Sequence, residues 1–245
     1  MLKQALILAG GRGTRLKRLT RKIPKPMLLV NGNPFITYLI HNLQQQGIKK
    51  ILISTGYKAN YIESFFSNQL LKDVEINCIA EPEPLGTGGA LKFASSYLDS
   101  EFLVLNGDTL FDIKFIELDD LISKSADGIA SIALRHDYDK SRYGQVVTDG
   151  KYVLRFSEKE SKKLSAGALI NGGIYSMSSK VLKYIPEGYS SLEDDIFPVL
   201  ASKRILLGKI FNGYFIDIGV PDDFKRLQVE LPIWMEEKYG NDLAF

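Results

Sequence analysis

The chain is poor in the residues on which several large classes of protein depend. It has one cysteine, Cys78, so no intrachain disulfide can form, and its apolar setting in residues 74–80 suits a small buried hydrophobe. Two histidines, His41 and His136, at no zinc-like spacing argue against a transition-metal enzyme. No apolar run approaches the length that spans a bilayer. The N-terminus lacks both a basic stretch and a small-residue cleavage site, so the expected location is cytoplasmic. Neither sign of charge dominates, with 31 Lys and Arg against 29 Asp and Glu and a net charge of +2. Neither nucleic acid nor a membrane is therefore an expected partner. There is no Gly-x-Ser-x-Gly elbow and no acyl-transfer triad.

What is there is 245 residues, 45% of them hydrophobic, enough for a large core. No linker, low-complexity tract or repeat divides it, so one domain over 1–245 is expected. Residues 1–112 alternate strand-like runs (3–9, 50–54, 74–80, 101–106) with helix-like segments (34–46, 59–67, 89–97). That alternation implies βαβ units and an α/β fold with a mixed, mostly parallel sheet covered by helices on both faces. Residues 113–245 change rhythm. A strong apolar strand over 128–135 precedes a hairpin, 143–147 and 152–157, turning at Asp149-Gly150. Another strand is expected over 169–177. Ser190 and Glu193 have capping-box spacing for a helix to about Ala201. Strands near Leu206 and Tyr214 and a helix from Pro221 toward Trp234 complete the chain. This half reads as a small antiparallel lobe over the parallel core.

The most informative stretch is Leu8-Ala9-Gly10-Gly11-Arg12-Gly13-Thr14-Arg15, followed ten residues later by Lys25-Pro26. Glycines let backbone approach an anion, and successive N–H groups in such a turn form an anion-binding concavity. Arg15 and Lys25 add positive charge where a leaving pyrophosphate needs it. Leu16 stands where a dinucleotide fingerprint requires its third glycine, and no P-loop spelling occurs. Two further loops follow strands directly, where ligands sit in open α/β sheets. One carries Glu81, Gly86 and Thr87; the other carries Asn106 and Asp108. Asp108, at a strand's carboxyl end, suits Mg²⁺, and Asp217 needs a partner because its neighbours are apolar. Glu158 and Asn171 suit sugar hydroxyls, and Lys159 suits the phosphate of the same ligand. His41, in the helix over 34–46, reads as structural, and His136 is expected in a loop before Arg142-Tyr143-Gly144.

In this order, Gly10–Arg15, Lys25-Pro26, Leu85–Ala90, Gly107-Asp108, Tyr143-Gly144, Glu158-Lys159, Asn171–Tyr175 and Asp217–Gly219 resemble the sugar-1-phosphate nucleotidyltransferases. The resemblance spans essentially the whole chain. It implies a Rossmann-like fold of the nucleotide-diphospho-sugar transferase type and transfer of NMP from an NTP to a sugar 1-phosphate. It implies that Leu8, Ala9, Gly10, Gly11, Gly13, Thr14 and Arg15, with Glu81, Gly86 and Thr87, bind the nucleotide. Arg15, Lys25 and Asp108 would be catalytic, and Asp108 and Asp217 would hold Mg²⁺. Asn106, Gly144, Glu158, Lys159, Asn171 and Gly172 would bind the sugar phosphate. The proline that many members carry after the Glu-Lys pair is missing here, where Ser161 follows shortly after Lys159.

Glu81 favours GTP, because a carboxylate accepts from guanine N1–H and the 2-amino group but repels the carbonyls of thymine or uracil. At closer range the motifs resemble bacterial guanylyltransferases acting on D-glycero-α-D-manno-heptose 1-phosphate, which serve surface polysaccharide synthesis. Mannose-1-phosphate guanylyltransferase and glucose-1-phosphate thymidylyltransferase are the nearest alternatives. A catalytically silent regulatory subunit would be expected to lose Arg15, Lys25, Asp108 or Asp217; all four are present. Nothing in the sequence argues against a homo-oligomer.

Overall fold

The computed structural model describes residues 2–16, 19–67, 73–137, 145–157 and 168–240. The first half supplies β1 (Gln4–Leu8), β2 (Leu29–Val30), β3 (Asn33–Pro34) and α1 (Phe35–Gln45). It continues with β4 (Lys50–Thr55), α2 (Ala59–Ser67), β5 (Glu75–Ala80), α3 (Gly86–Phe93), β6 (Glu101–Asn106) and β7 (Thr109–Phe111). The second half supplies α4 (Phe115–Ser123), β8 (Ala130–Asp137), β9 (Gln145–Asp149), β10 (Tyr152–Ser157) and β11 (Ala168–Ser178). It ends with α5 (Phe197–Ser202), β12 (Leu206–Ile210), β13 (Phe215–Asp217) and α6 (Pro221–Tyr239).

Strands buried on both faces explain the apolar runs. Along β1, Ala5 and Ile7 join one core layer and Leu6 the other; β6 divides Leu103 and Leu105 from Phe102 and Val104 in the same way. Ile36 and Ile40 of α1, Ile62 and Phe66 of α2, and Leu118 of α4 cover the first layer. Leu91 of α3 and Leu200 of α5 cover the second. Helices on both faces are thus as expected. Cys78 packs at the edge of the first layer, and burial raises its thiol to about 11. His41 is buried in α1 with its ring edge-on to Tyr239, and burial lowers its pKa.

The sheet itself departs from the expectation. Nine strands run in the order β5-β4-β1-β6-β11-β8-β12-β10-β9. Parallel pairing is confined to β5-β4-β1-β6 and to β8-β12. The sheet is mixed, as expected, but not mostly parallel, and the antiparallel strands extend it instead of forming a separate lobe. The cause is β11, which pairs antiparallel with β6 on one side and β8 on the other. The Asp149-Gly150 hairpin is present, with Gly150 at φ +57°. His136 lies within β8, not in a loop, because β8 runs two residues further than its apolar core.

A third cluster locks α6 across the molecule. Leu227, Leu231 and Met235 of α6 pack with Phe35 and Leu39 of α1 and with Ile216 and Ile218, which flank Asp217. Pro221 opens α6 at a position that needs no N–H donor, and Gly240 follows it at φ +66°. Leu231→Ala removes a fully buried side chain and is expected to cost about 2–5 kcal/mol, read as a lower denaturation midpoint at unchanged slope.

Candidate active site

The parallel strands β5, β4, β1 and β6 deliver four loops to one rim. The loop after β1 is held between two others: Gly107 N donates to Leu8 O at 2.9 Å, Ala9 N to Ser54 O at 2.8 Å, and Tyr57 N to Gly10 O at 3.1 Å. Contact is close enough that a Cβ on Gly107 would stand 2.7 Å from Leu8 O. Gly13 takes φ +61°, and a 3₁₀ turn over Thr14–Leu16 follows, leaving Thr14 and Arg15 exposed. Thr20 Oγ1 donates to Gly13 O at 2.9 Å and pins the turn.

These loops enclose a cleft of about 600 Å³. Leu8 to Arg15 and Glu81 to Thr87 line it, and Asn106, Asp108 and Lys25 also contribute. The structure thus gathers every nucleotide-side residue singled out in the sequence. Four of the glycines also make room for the protein itself. A Cβ on Gly10 would lie 2.5 Å from Glu81 Oε1, so this glycine makes room for a carboxylate. Gly86, Gly88 and Gly89 lie against the backbone of Gly188 and Ser190, and Ser190 O accepts from Gly88 N and Gly89 N at 2.8 and 3.2 Å. Their close approach is to protein backbone.

Glu81 follows β5, and its N–H donates to Thr55 O at 2.7 Å. Its carboxylate accepts from Ser54 Oγ at 2.7 Å and from Leu85 N at 3.3 Å. Burial raises its pKa above the ordinary carboxyl value, and the two donors partly oppose that shift.

Asp108 and Asp217 meet because β13 pairs antiparallel with β7, placing Asp217 opposite Thr109, while Ile218 N donates to Asp108 O at 3.0 Å. Lys25 comes from a 3₁₀ turn over Lys25–Met27 whose Pro24 and Pro26 fix the chain. Its ammonium is ion-paired to Asp108 and lies 4.0 Å from Asp217 Oδ1. The Lys25 side chain is only 8% exposed, so little water screens these contacts. No cluster of three metal-binding side chains occurs among the described residues. The two carboxylates already surround a cation, and one or two carboxylates plus substrate phosphate is the usual donor set for Mg²⁺. The residues present therefore fit that ion.

The sugar-side residues are less gathered. Asn106 lines the cleft, and its Oδ1 has no hydrogen-bond partner among the described residues. Asn171 sits where β11 bulges: its Oδ1 accepts from Gly173 N at 2.9 Å and its Nδ2 donates to Tyr175 OH at 2.9 Å. Gly172 packs against Phe111, leaving no space for a Cβ. Gly144, Glu158 and Lys159 lie outside the described residues.

Several site residues carried no role in the sequence reading. Gly56 and Tyr57 follow β4, so the rule that flagged the ends of β5 and β6 could have found them. Tyr189, 73% exposed, also lines the cleft. Tyr175 is fully buried, and its hydroxyl donates to Glu193 Oε1 at 3.2 Å; Thr87 Oγ1 donates to Glu193 Oε2 at 2.7 Å. The expected capping box is shifted by one residue. Ser191, not Ser190, caps the turn by accepting from Asp194 N at 3.0 Å, and Asp195 returns a carboxylate to Ser191 N at 2.7 Å. Glu193 is free for the network because two further acids follow it.

With this geometry established, comparison with known proteins is direct. The chain belongs to the family described as nucleotidyl transferase, whose profile matches residues 4–232, and with it to the sugar-1-phosphate nucleotidyltransferase enzymes. It is 38% identical over 222 residues to a D-glycero-alpha-D-manno-heptose 1-phosphate guanylyltransferase of Campylobacter jejuni, covering 90% of this chain and 96% of the relative. A protein of the same description from Aneurinibacillus thermoaerophilus is 37% identical over 232 residues, covering 93% and 98%. The crystal structure of HddC from Yersinia pseudotuberculosis complexed with GMP-PN aligns at a TM-score of 0.79 and 35% identity, covering 94% of this chain and all of that one.

Lys25→Met leaves two carboxylates facing one another without their cation. Because Asp108 is a third exposed, the expected loss is about 1–3 kcal/mol of folding stability, measured by urea titration without ligands.

Proposed function

We propose that the protein transfers GMP from GTP to D-glycero-α-D-manno-heptose 1-phosphate, giving GDP-heptose and pyrophosphate for polysaccharide synthesis. The observation that carries the choice of base is the Glu81 carboxylate on the cleft wall. Guanine offers N1–H and the 2-amino group side by side, matching two carboxylate oxygens. Thymine and uracil present O2 and O4, and adenine presents the N1 lone pair, so each would set acceptor against acceptor. Support for the sugar comes from the two relatives described as heptose 1-phosphate guanylyltransferases. A guanine nucleotide is also bound by the 35% identical neighbour.

A sugar phosphate is already anionic near neutral pH, so no base has to create the nucleophile. Its oxygen attacks the α-phosphorus, the bond from that phosphorus to the α–β bridging oxygen breaks, and both electrons leave with pyrophosphate. The obstacle is the approach of two anions, which positioning and fixed positive charge overcome. The backbone of Gly11 to Thr14 cradles the triphosphate, and exposed Arg15 neutralises the departing pyrophosphate. Lys25 steadies the phosphates and keeps Asp108 and Asp217 together. Those aspartates would hold Mg²⁺, which when bound neutralises phosphate charge and polarises the phosphoryl oxygens. Asn106 and Asn171 bind sugar hydroxyls, with Glu158 and Lys159 completing that subsite. Thr87, whose hydroxyl is engaged by Glu193 and by Leu192 N at 2.8 Å, serves the nucleotide through its backbone.

The test is pyrophosphate release from GTP, ATP, UTP and dTTP against heptose, mannose and glucose 1-phosphates. GTP with heptose 1-phosphate is expected to give the highest kcat/KM. Faster turnover of dTTP with glucose 1-phosphate would overturn both specificity assignments.

A pH dependence follows from Glu81. Protonation removes an acceptor, and burial places that protonation above the ordinary carboxyl value. KM for GTP is therefore expected to rise on acidification before an ordinary carboxylate would titrate, and to be flat above that limb. Glu81→Gln should lack the limb. A limb of the same position in that variant would assign it to the nucleotide phosphates instead.

A further inference from the structure

We propose that Ser54 determines base selectivity as the positioning residue of Glu81, an inference resting on the reading of Glu81 as the group that recognises guanine. Ser54 stands one residue from the end of β4 and is fully buried between Leu8 of β1 and Ile79 of β5. Gly10, Glu81 and Leu85 line the cleft, whereas Ser54 is behind that wall. Its hydroxyl proton goes to Glu81 Oε1 at 2.7 Å. Leu85 N holds the other oxygen, Oε2, at 3.3 Å. On the remaining side, Gly10 abuts Oε1 so closely that even a methyl group would collide with it.

A carboxylate has about four acceptor positions, two on each oxygen. Ser54 and Leu85 take one apiece, on different oxygens. One position therefore stays open on each, side by side, and that pair matches the paired N1–H and 2-amino donors of guanine. A carboxylate held by Leu85 alone could turn about its terminal bond, and the open positions would no longer stay aligned with two donors at once. Ser54 thus fixes the plane of the reader without touching the base. Its loss should weaken the second hydrogen bond, to the 2-amino group, more than overall nucleotide binding.

Inosine triphosphate isolates that bond, because hypoxanthine keeps N1–H and lacks the 2-amino group. Dissociation constants for GTP and ITP, measured calorimetrically on the full chain with Mg²⁺, give a discrimination ratio that a general loss of stability would not move. A hydrogen bond to a charged group predicts at least about tenfold preference for GTP in the wild type. Ser54→Ala is expected to cut that ratio about fivefold, chiefly by weakening GTP, and Glu81→Gln to abolish it. Ser54→Cys, similar in shape with a weaker donor, should fall between serine and alanine, and serves if the alanine variant fails to fold. Full discrimination in the Ser54 variants, with discrimination lost in Glu81→Gln, would overturn the positioning role alone. Absence of discrimination in the wild type, or its survival in Glu81→Gln, would overturn the base reading and this inference with it.

Discussion

A single buried ammonium group ties the site together. Lys25, Asp108 and Asp217 come from three distant parts of the chain, and the lysine places its positive charge against both carboxylates. Two carboxylates brought together by a two-stranded ladder repel one another in a setting that water screens weakly. Lys25 offsets that repulsion and so allows β13 to pair with β7. The same requirement explains α6. Its apolar stripe packs on Ile216 and Ile218, so core burial holds Asp217 against the electrostatics on either side. A site that gathers negative charge to meet a cation needs a cation of its own and a clamp.

The first half of the fold was legible because each βαβ unit is local. Apolar runs bounded by Gly or Pro fall on the observed strands, and the loops after β1, β5 and β6 do form one cleft. In the second half the elements and the Asp149-Gly150 hairpin were legible but the sheet order was not, because periodicity reports burial without naming the pairing partner. Residues 169–177 read correctly as a strand, yet nothing in them says that they pair antiparallel with both β6 and β8. That one placement merges the mostly parallel sheet and the expected lobe into one continuous sheet.

Glycine was the least transparent residue at the site. Gly10, Gly86, Gly88 and Gly89 all permit close approach, but spelling does not tell what approaches. Gly10 accommodates the Glu81 carboxylate, and the other three accommodate Gly188 and Ser190, about a hundred residues away. The capping box failed for a related reason. Adjacent serines followed by three consecutive acids offer two registers, and packing chose the one that sends Glu193 inward.

That choice exposes a division of labour among carboxylates that no sequence pattern marks. Glu193 accepts from Tyr175 and Thr87 and joins strand β11, near Asn171, to the start of α3 on the nucleotide side. A half-buried carboxylate with both oxygens engaged is a structural tie, and its value lies in rigidity. Asp108 and Asp217 instead share an ammonium, so their charge is compensated but can be handed to another cation. Glu81 receives one neutral donor on each oxygen and keeps acceptor capacity turned to the cleft. Within one cleft, then, the number and charge of the donors around a carboxylate decide whether it braces the fold, meets a metal or reads a base.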